Sequence, residues 1–285
     1  MITTAPIALY DSGLGGLTVY KALREALPNE SLLYFGDTAR VPYGPRPSSE
    51  IVGFNVEIVS WLLAQGAKYV VIACNTSSAM ALPVLKHRFD VPIRGLIESG
   101  AKQAATVAGQ GHIGVIATEG TVRSAAYQES LARHAAGAQV SAVACPTLVP
   151  LIESGDWSSD QAVDTVAKAL VAYTKSPPDA LVLGCTHYPH VKDIIQRLLP
   201  KTTLIDPAIP LAGDVASDIV SLGCSAPLNH APFHHVAVSG CPEHFFAQAD
   251  RLLPQQIKSV AQIAFEPTPP ALAPCDGLAP DRHAH

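Results

Sequence analysis

The sequence predicts an α/β protein built as two similar doubly wound parallel-sheet domains that face each other across a cleft. Three observations predict it. Short apolar runs alternate with amphipathic segments along the whole chain, which is the pattern of parallel strands covered by helices on both faces. Ten such runs are too many for one ordinary sheet. The two halves also share one order: apolar strand, polar glycine-bearing loop, intervening units, second strand, cysteine.

Strands are expected at residues 7–10, 32–35, 69–73, 93–97, 112–117, 140–144, 180–184, 203–205, 235–238 and 261–265. Helical patterns lie between most of them, for example over 17–27, 50–65, 122–135, 161–174 and 191–199. In the first half, the opening strand runs into "DSGLGG", and Cys74 follows 63 residues after Asp11. In the second half, strand 112–117 runs into "TEGTVRS", and Cys185 follows 67 residues after Thr118. Ligands of open parallel sheets bind at the carboxyl ends of the strands, where all four of these loops fall.

Composition narrows the function classes. With 285 residues, 48% apolar and 15% charged, the chain can bury a sizeable core. The net charge of −5 and the lack of a dense Lys/Arg run show no nucleic-acid footprint. No apolar stretch reaches the ~18 residues of a membrane span. "MITTAPIALY" lacks the basic start of a signal peptide and reads as a first strand. Six scattered cysteines make no disulfide framework, so the expected compartment is the cytoplasm, where thiols stay reduced. Residues 267–285 carry five prolines, read as a disordered tail, and are set aside together with Cys275.

Cys74 sits in "VVIACNTSSAM" and Cys185 in "LVLGCTHYPH": each ends a strand and precedes small polar residues and a helix. A single cysteine at a strand end is ordinarily a small buried hydrophobe. Two in matching contexts point to chemistry, because small polar neighbours add hydrogen-bond donors and an anion-friendly helix start rather than packing. Bringing a thiol to mostly thiolate at pH 7 takes about 2 kcal/mol. A helix N-terminus contributes ~0.3–2 kcal/mol, and a bound ammonium group can add the rest. Asp11–Gly16 fails the dinucleotide pattern because Thr18 stands where the third glycine belongs. It reads either as a plain glycine turn or as a backbone nest for a carboxylate, with Asp11 turned towards an ammonium or a thiol.

The long Pro/Gly-rich loop at 36–49 is a connector or a binding element, with Pro42, Tyr43 and Gly44 as its candidates. Cys185, His187 and His190 do not follow a common zinc spacing, and "HHVAVSGCPEHF" is no better, so no metal is expected. His187 reads as a polar partner of Cys185. Cys145 lacks the polar pair and reads as core, and Cys224 carries no signal. Two thiols on opposite sides of a cleft suit proton removal from one face of a carbon and return to the other. That inverts a stereocentre without a cofactor, provided a water-poor site stabilises carbanionic character.

"DSGLGG", "GDTARVPYG", "ACNTSSA", "IGVIATEGTV" and "LVLGCTHYP", in this order over about residues 7–265, resemble the glutamate racemases. Two positions depart from the family pattern: Ser99 where proline is frequent, and Pro207 where serine is frequent. The resemblance implies a discontinuous first domain, 1–97 plus 208–266, and a second domain, 98–207. It implies Cys74 acting on D-glutamate and Cys185 on L-glutamate, assisted by Asp11 and His187, with Asp37 a further candidate. It implies Ser12, Asn75, Thr76 and Thr186 at the amino and α-carboxylate groups. Pro42, Tyr43, Gly44, Thr118 and Thr121 would serve the rest of the substrate. It implies no cofactor, glutamate as partner, D-glutamate supplied to peptidoglycan, and a homodimer. The alternatives are an aspartate or other amino-acid racemase, a single-cysteine hydrolase using His187, and a small-molecule binding protein.

Overall fold

The computed structural model describes residues 3–265. The Pro-rich stretch 267–285, with Cys275, lies outside the described residues. Strands β1 (Ile7–Asp11), β2 (Leu32–Gly36), β3 (Tyr69–Ile72), β4 (Ile93–Gly95), β9 (His234–Val238) and β10 (Ala261–Gln262) form one sheet, in the order β10-β9-β2-β1-β3-β4. Strands β5 (His112–Ala117), β6 (Gln139–Ala144), β7 (Ala180–Gly184) and β8 (Thr203–Ile205) form the other, in the order β6-β5-β7-β8. Every strand pair is parallel.

Alternating side chains send each sheet into two cores. Leu9, Tyr34 and Val71 meet Val19, Leu211 and Phe245 on one face of the larger sheet. Tyr10, Phe35 and Ile72 meet Ile58, Leu62 and Leu85 on the other. In the smaller sheet, Ile116 and Leu183 face Leu148, Val166 and Ile195, while Val115 and Val182 face Ala101, Ala104 and Leu131. Burial on both faces is why these strands read as unbroken apolar runs.

The chain leaves the larger sheet through helix Leu96–Ala108 and returns through helix Ala208–Ser221. Both departures from the family pattern lie at these crossings. The Ser99 hydroxyl donates to Asp214 Oδ2 at 2.6 Å, across the two helices. Gly100 leaves no slack against Pro207, whose Cβ would lie 3.0 Å from an added methyl. Arg94 pairs with Asp218 at 2.7 Å and with Asp214 at 3.4 Å, so one guanidinium braces the returning helix.

Four segments differ from expectation. The strand expected at 93–97 stops at Gly95, because Leu96 begins a helix whose first amide bonds Ser78 Oγ at 3.2 Å. The strand expected at 261–265 is only Ala261–Gln262, followed by one further bond from the Ile263 amide to Val238 O at 2.8 Å. The helix expected over 122–135 is two helices, Glu119–Arg123 and Ala126–His134, separated by Ala125 in the left-handed region at φ 57°. That over 161–174 is broken at Leu170, between Asp160–Ala169 and Val171–Thr174.

A left-handed alanine costs roughly 1–2 kcal/mol, whereas glycine there costs ~0.4–1 kcal/mol in lost chain entropy. Ala125→Gly is therefore expected to stabilise the protein by about 0.5–1 kcal/mol and to raise Tm by about 1–4 °C in thermal denaturation. A lower Tm would mean that the methyl group's packing outweighs the backbone strain.

Candidate active site

The carboxyl ends of β1, β2, β3, β5 and β7 converge on one cavity of about 350 Å3. Asp11, Ser12, Cys74 and Thr76 contribute from the larger sheet, and Thr118, Cys185, Thr186 and His187 from the smaller one. Pro42, Tyr43 and Gly44 reach it from the loop after β2. Asn75 and Thr121 stand behind the wall. Asn75 Oδ1 accepts from Tyr127 OH at 2.7 Å. Thr76, Thr118 and Thr121 share their hydroxyls at 3.0–3.3 Å, joining the two halves. Asp37 does not line the cavity: it is fully buried under the loop after β2 and accepts from Tyr43, Arg40 and Ser239. Cys145 lines the cavity as well as packing in the core, which the sequence did not distinguish.

The glycines of the first loop serve close approach. A methyl group on Gly15 would lie 2.5 Å from Thr186 Oγ1 and 2.6 Å from His187 Nδ1. One on Gly16 would lie 2.5 Å from Asp11 Cβ. Asp11 Oδ2 accepts from the amides of Gly16 at 2.9 Å and Gly13 at 3.2 Å, which fixes the carboxylate over the loop. Its other oxygen is buried and has no hydrogen-bond partner among the described residues. The Gly13 and Gly16 amides are therefore occupied by the chain's own Asp11 rather than left as a nest for another carboxylate.

The two thiols sit in unlike fields. Cys74 opens helix Asn75–Met80, its Sγ accepting from the Ser77 amide at 3.5 Å and lying 3.9 Å from Ser12 Oγ. Burial, then the Asp11 carboxylate, push this thiol up to about 12 against the pull of that amide. The helix start therefore does not make Cys74 a resting thiolate, because burial outweighs it. Asp11 is itself pushed up by burial, opposed by His187 and by the Gly16, Gly13 and Ser12 amides.

Cys185 Sγ lies 3.7 Å from His187 Nδ1, and His187 Nε2 lies 3.1 Å from Glu153 Oε1. Burial disfavours charge on His187, but contact with Cys185 and Glu153 and the field of Asp11 push its pKa up to about 10. Both ring nitrogens are thus engaged, and among the described residues no three His, Cys, Asp or Glu side chains are grouped to hold a metal ion.

Glu153 escaped the sequence reading. It lies 34 residues before His187 on helix Leu148–Glu153. Its one cue is an acid ending the otherwise apolar run Leu148–Ile152.

A family model described as Asp/Glu/Hydantoin racemase matches residues 14–213. A glutamate racemase of Desulforudis audaxviator is 39% identical over 90% of this chain and 97% of its own. The crystal structure of a glutamate racemase from Bacillus anthracis aligns with a TM-score of 0.88 at 36% identity, covering 91% of this chain and 97% of that one. That of a glutamate racemase from Francisella tularensis in complex with D-glutamate aligns with a TM-score of 0.85 at 30% identity, covering 92% and 98%.

The raised pKa of His187 makes a stabilising contribution that is complete below the ordinary value of 6.5 and is lost as pH rises through about 10. Glu153→Gln removes the carboxylate and keeps the shape. The ring of His187, followed by NMR, should then lose its proton at lower pH than in the parent. An unmoved titration would leave Cys185 and Asp11 as the whole cause.

Proposed function

The chain belongs to the glutamate racemases of the Asp/Glu/hydantoin racemase family, and from that premise we propose that it interconverts L- and D-glutamate by proton exchange between Cys74 and Cys185 across the Cα of the bound amino acid. The observation that carries this reading is the placement of Cys74 and Cys185, each at the end of a strand of a different sheet and followed by small polar residues, on one cavity. A chemistry using one sulfur needs only one of them.

For L-glutamate, the Cys185 thiolate takes the Cα proton and Cys74 returns its own proton to the opposite face. The product is D-glutamate, and the two sulfurs have exchanged protonation states. The reverse reaction starts from a Cys74 thiolate and a Cys185 thiol. The resting fields suit the first direction, since burial and Asp11 keep Cys74 protonated, and His187 holds positive charge beside Cys185. Running the reaction from D-glutamate requires that Cys74 lose its proton. The α-ammonium group of the substrate, drawn to the unpartnered, buried oxygen of Asp11, supplies positive charge to offset that carboxylate. Asp11 and His187 assist the sulfurs in this scheme.

Ser12, Thr76 and Thr186 hold the amino and α-carboxylate groups, with Asn75 supporting them through the loop. Pro42, Tyr43, Gly44 and Thr118, with Thr121 behind it, serve the side chain. The weak acidity of Cα is met by hydrogen-bond donors fixed in a cleft walled by Val41, Cys145, Pro146, Val149 and Pro150, where low polarity strengthens each of them.

The same reading divides the chain into domains 1–97 plus 208–266 and 98–207, and makes it a cytoplasmic homodimer whose D-glutamate enters peptidoglycan. Among the described residues no helix is long and apolar enough to cross a membrane.

Cys74→Ser and Cys185→Ser should each lower racemisation by about 10²–10⁴-fold or more, because serine is too weak an acid to replace a thiolate near neutral pH. Elimination from a β-chloro-glutamate needs proton removal from one face only. Cys185→Ser should eliminate from the D enantiomer and Cys74→Ser from the L enantiomer. Near wild-type racemisation by either variant would overturn the two-sulfur scheme and favour the single-cysteine hydrolase. Swapped preferences would reverse the faces.

A further inference from the structure

Much of the cavity wall comes from the loop joining β2 to helix Ser48–Ala64, and this loop is held by side chains around a single buried acid. Asp37 is fully buried at the loop's start. Its Oδ2 accepts from the Tyr43 hydroxyl and from Arg40 Nε, the latter at 2.7 Å. Its Oδ1 accepts from Ser239 Oγ at 2.8 Å. Arg40 does not float in this knot. One of its terminal nitrogens pairs with Glu57, and its guanidinium lies 4.2 Å from the ring centre of Phe54 and 5.2 Å from that of Phe265. Phe265 comes from the far end of the described chain, just after β10. It is seated edge-on against Phe35 of β2 at 5.4 Å, in a cluster that Phe35 extends to Trp61 at 5.3 Å.

We infer that Phe265 is a positioning residue for the substrate loop: its ring fixes the plane of Arg40, Arg40 and Asp37 fix Tyr43, and Tyr43 sets where the Tyr43–Gly44 backbone meets the ligand. The loop has little freedom on its other side. A methyl group on Gly44 would lie 3.3 Å from Thr118 Cβ, and one on Gly120 would lie 2.7 Å from Gly44 O. A small rotation of Arg40 therefore reaches the opposite half of the cavity through a contact that leaves little slack. Phe265 is absent from the cavity lining, and its contact with a side chain of the loop itself is with Arg40. An aromatic face is suited to this because it restrains a guanidinium without competing for the hydrogen bonds that Nε and one terminal nitrogen give to Asp37 and Glu57, while the other terminal nitrogen is buried without a hydrogen-bond partner among the described residues. The segment that follows β10 thus acts on substrate binding, not only on stability.

This inference rests on the glutamate reading above for its kinetic test and on backbone protection for its independent one. Phe265→Ala should raise KM for glutamate about 2- to 30-fold, the range of a lost cation–π contact, with kcat changed by less than about two-fold. Phe265→Tyr should restore KM, and Phe265→Leu, which keeps apolar bulk without a ring face, should not. Arg40→Ala should raise KM as well, and the Arg40→Ala/Phe265→Ala double variant should be no worse than Arg40→Ala alone. In hydrogen exchange, the Arg46 amide, bonded to Tyr43 O at 3.1 Å, should exchange faster in Phe265→Ala while amides of β1 and β3 keep their protection. Unchanged KM in Phe265→Ala, full rescue by leucine, or multiplying effects in the double variant would overturn the inference. If the parent protein did not racemise glutamate, the function reading would fall, and the exchange rate of Arg46 would still decide this one.

Discussion

The arrangement depends on how closely two strand ends can approach. Gly15 of the first loop rests on Thr186 and His187 of the second sheet with no space for even a methyl group. That contact sets the width of the cleft, and with it the separation of the two sulfurs relative to a carbon between them. Catalytic geometry tolerates little error: displacements near 1 Å cost orders of magnitude in rate. The glycines of "DSGLGG", which elsewhere would suggest a phosphate cradle, here let one half of the molecule touch the other. The crossings at Ser99–Asp214 and Gly100–Pro207 hold the same relation from the opposite end.

Given that spacing, electrostatics divides the labour. Each sulfur lies beside a different titratable partner. Cys74 is buried near a carboxylate and so resists ionisation. Cys185 is beside an imidazole whose pKa is raised, against burial, by contact with Cys185 itself and Glu153 and by the field of Asp11. Two residues of identical chemistry thus lie in unlike surroundings before any ligand arrives. Asp11 is common to both sides: it raises Cys74 and supports the charge on His187, so the two halves of the site are one electrostatic unit.

Much of this was legible in the sequence. A strand forms within or across each of the ten apolar runs, though those at 93–97 and 261–265 are shorter than expected, and the strands buried on both faces, such as β1, β2 and β7, leave the clearest mark. The two cysteine loops were legible because the chain repeats their layout. What escaped were features set by tertiary contact. Glu153 is tied to His187 only through the fold. Asp37 is a candidate for chemistry through the family resemblance, yet its carboxylate oxygens accept from Tyr43, Arg40 and Ser239. The break at Ala125 carries no glycine or proline to announce it. The protonation of Cys74 also could not be read from its helix start, because burial, which is invisible locally, is the larger effect.

The central claim is that the proton lost by one enantiomer is not the proton gained by the other. It is tested most directly by following L-glutamate in D₂O at early times, with enantiomers separated and deuterium at Cα counted in each. The account predicts that D-glutamate carries solvent deuterium from its first appearance while the remaining L-glutamate keeps its protium. D-glutamate formed with the substrate's own protium, or deuterium entering L-glutamate as fast as it appears in D-glutamate, would contradict it.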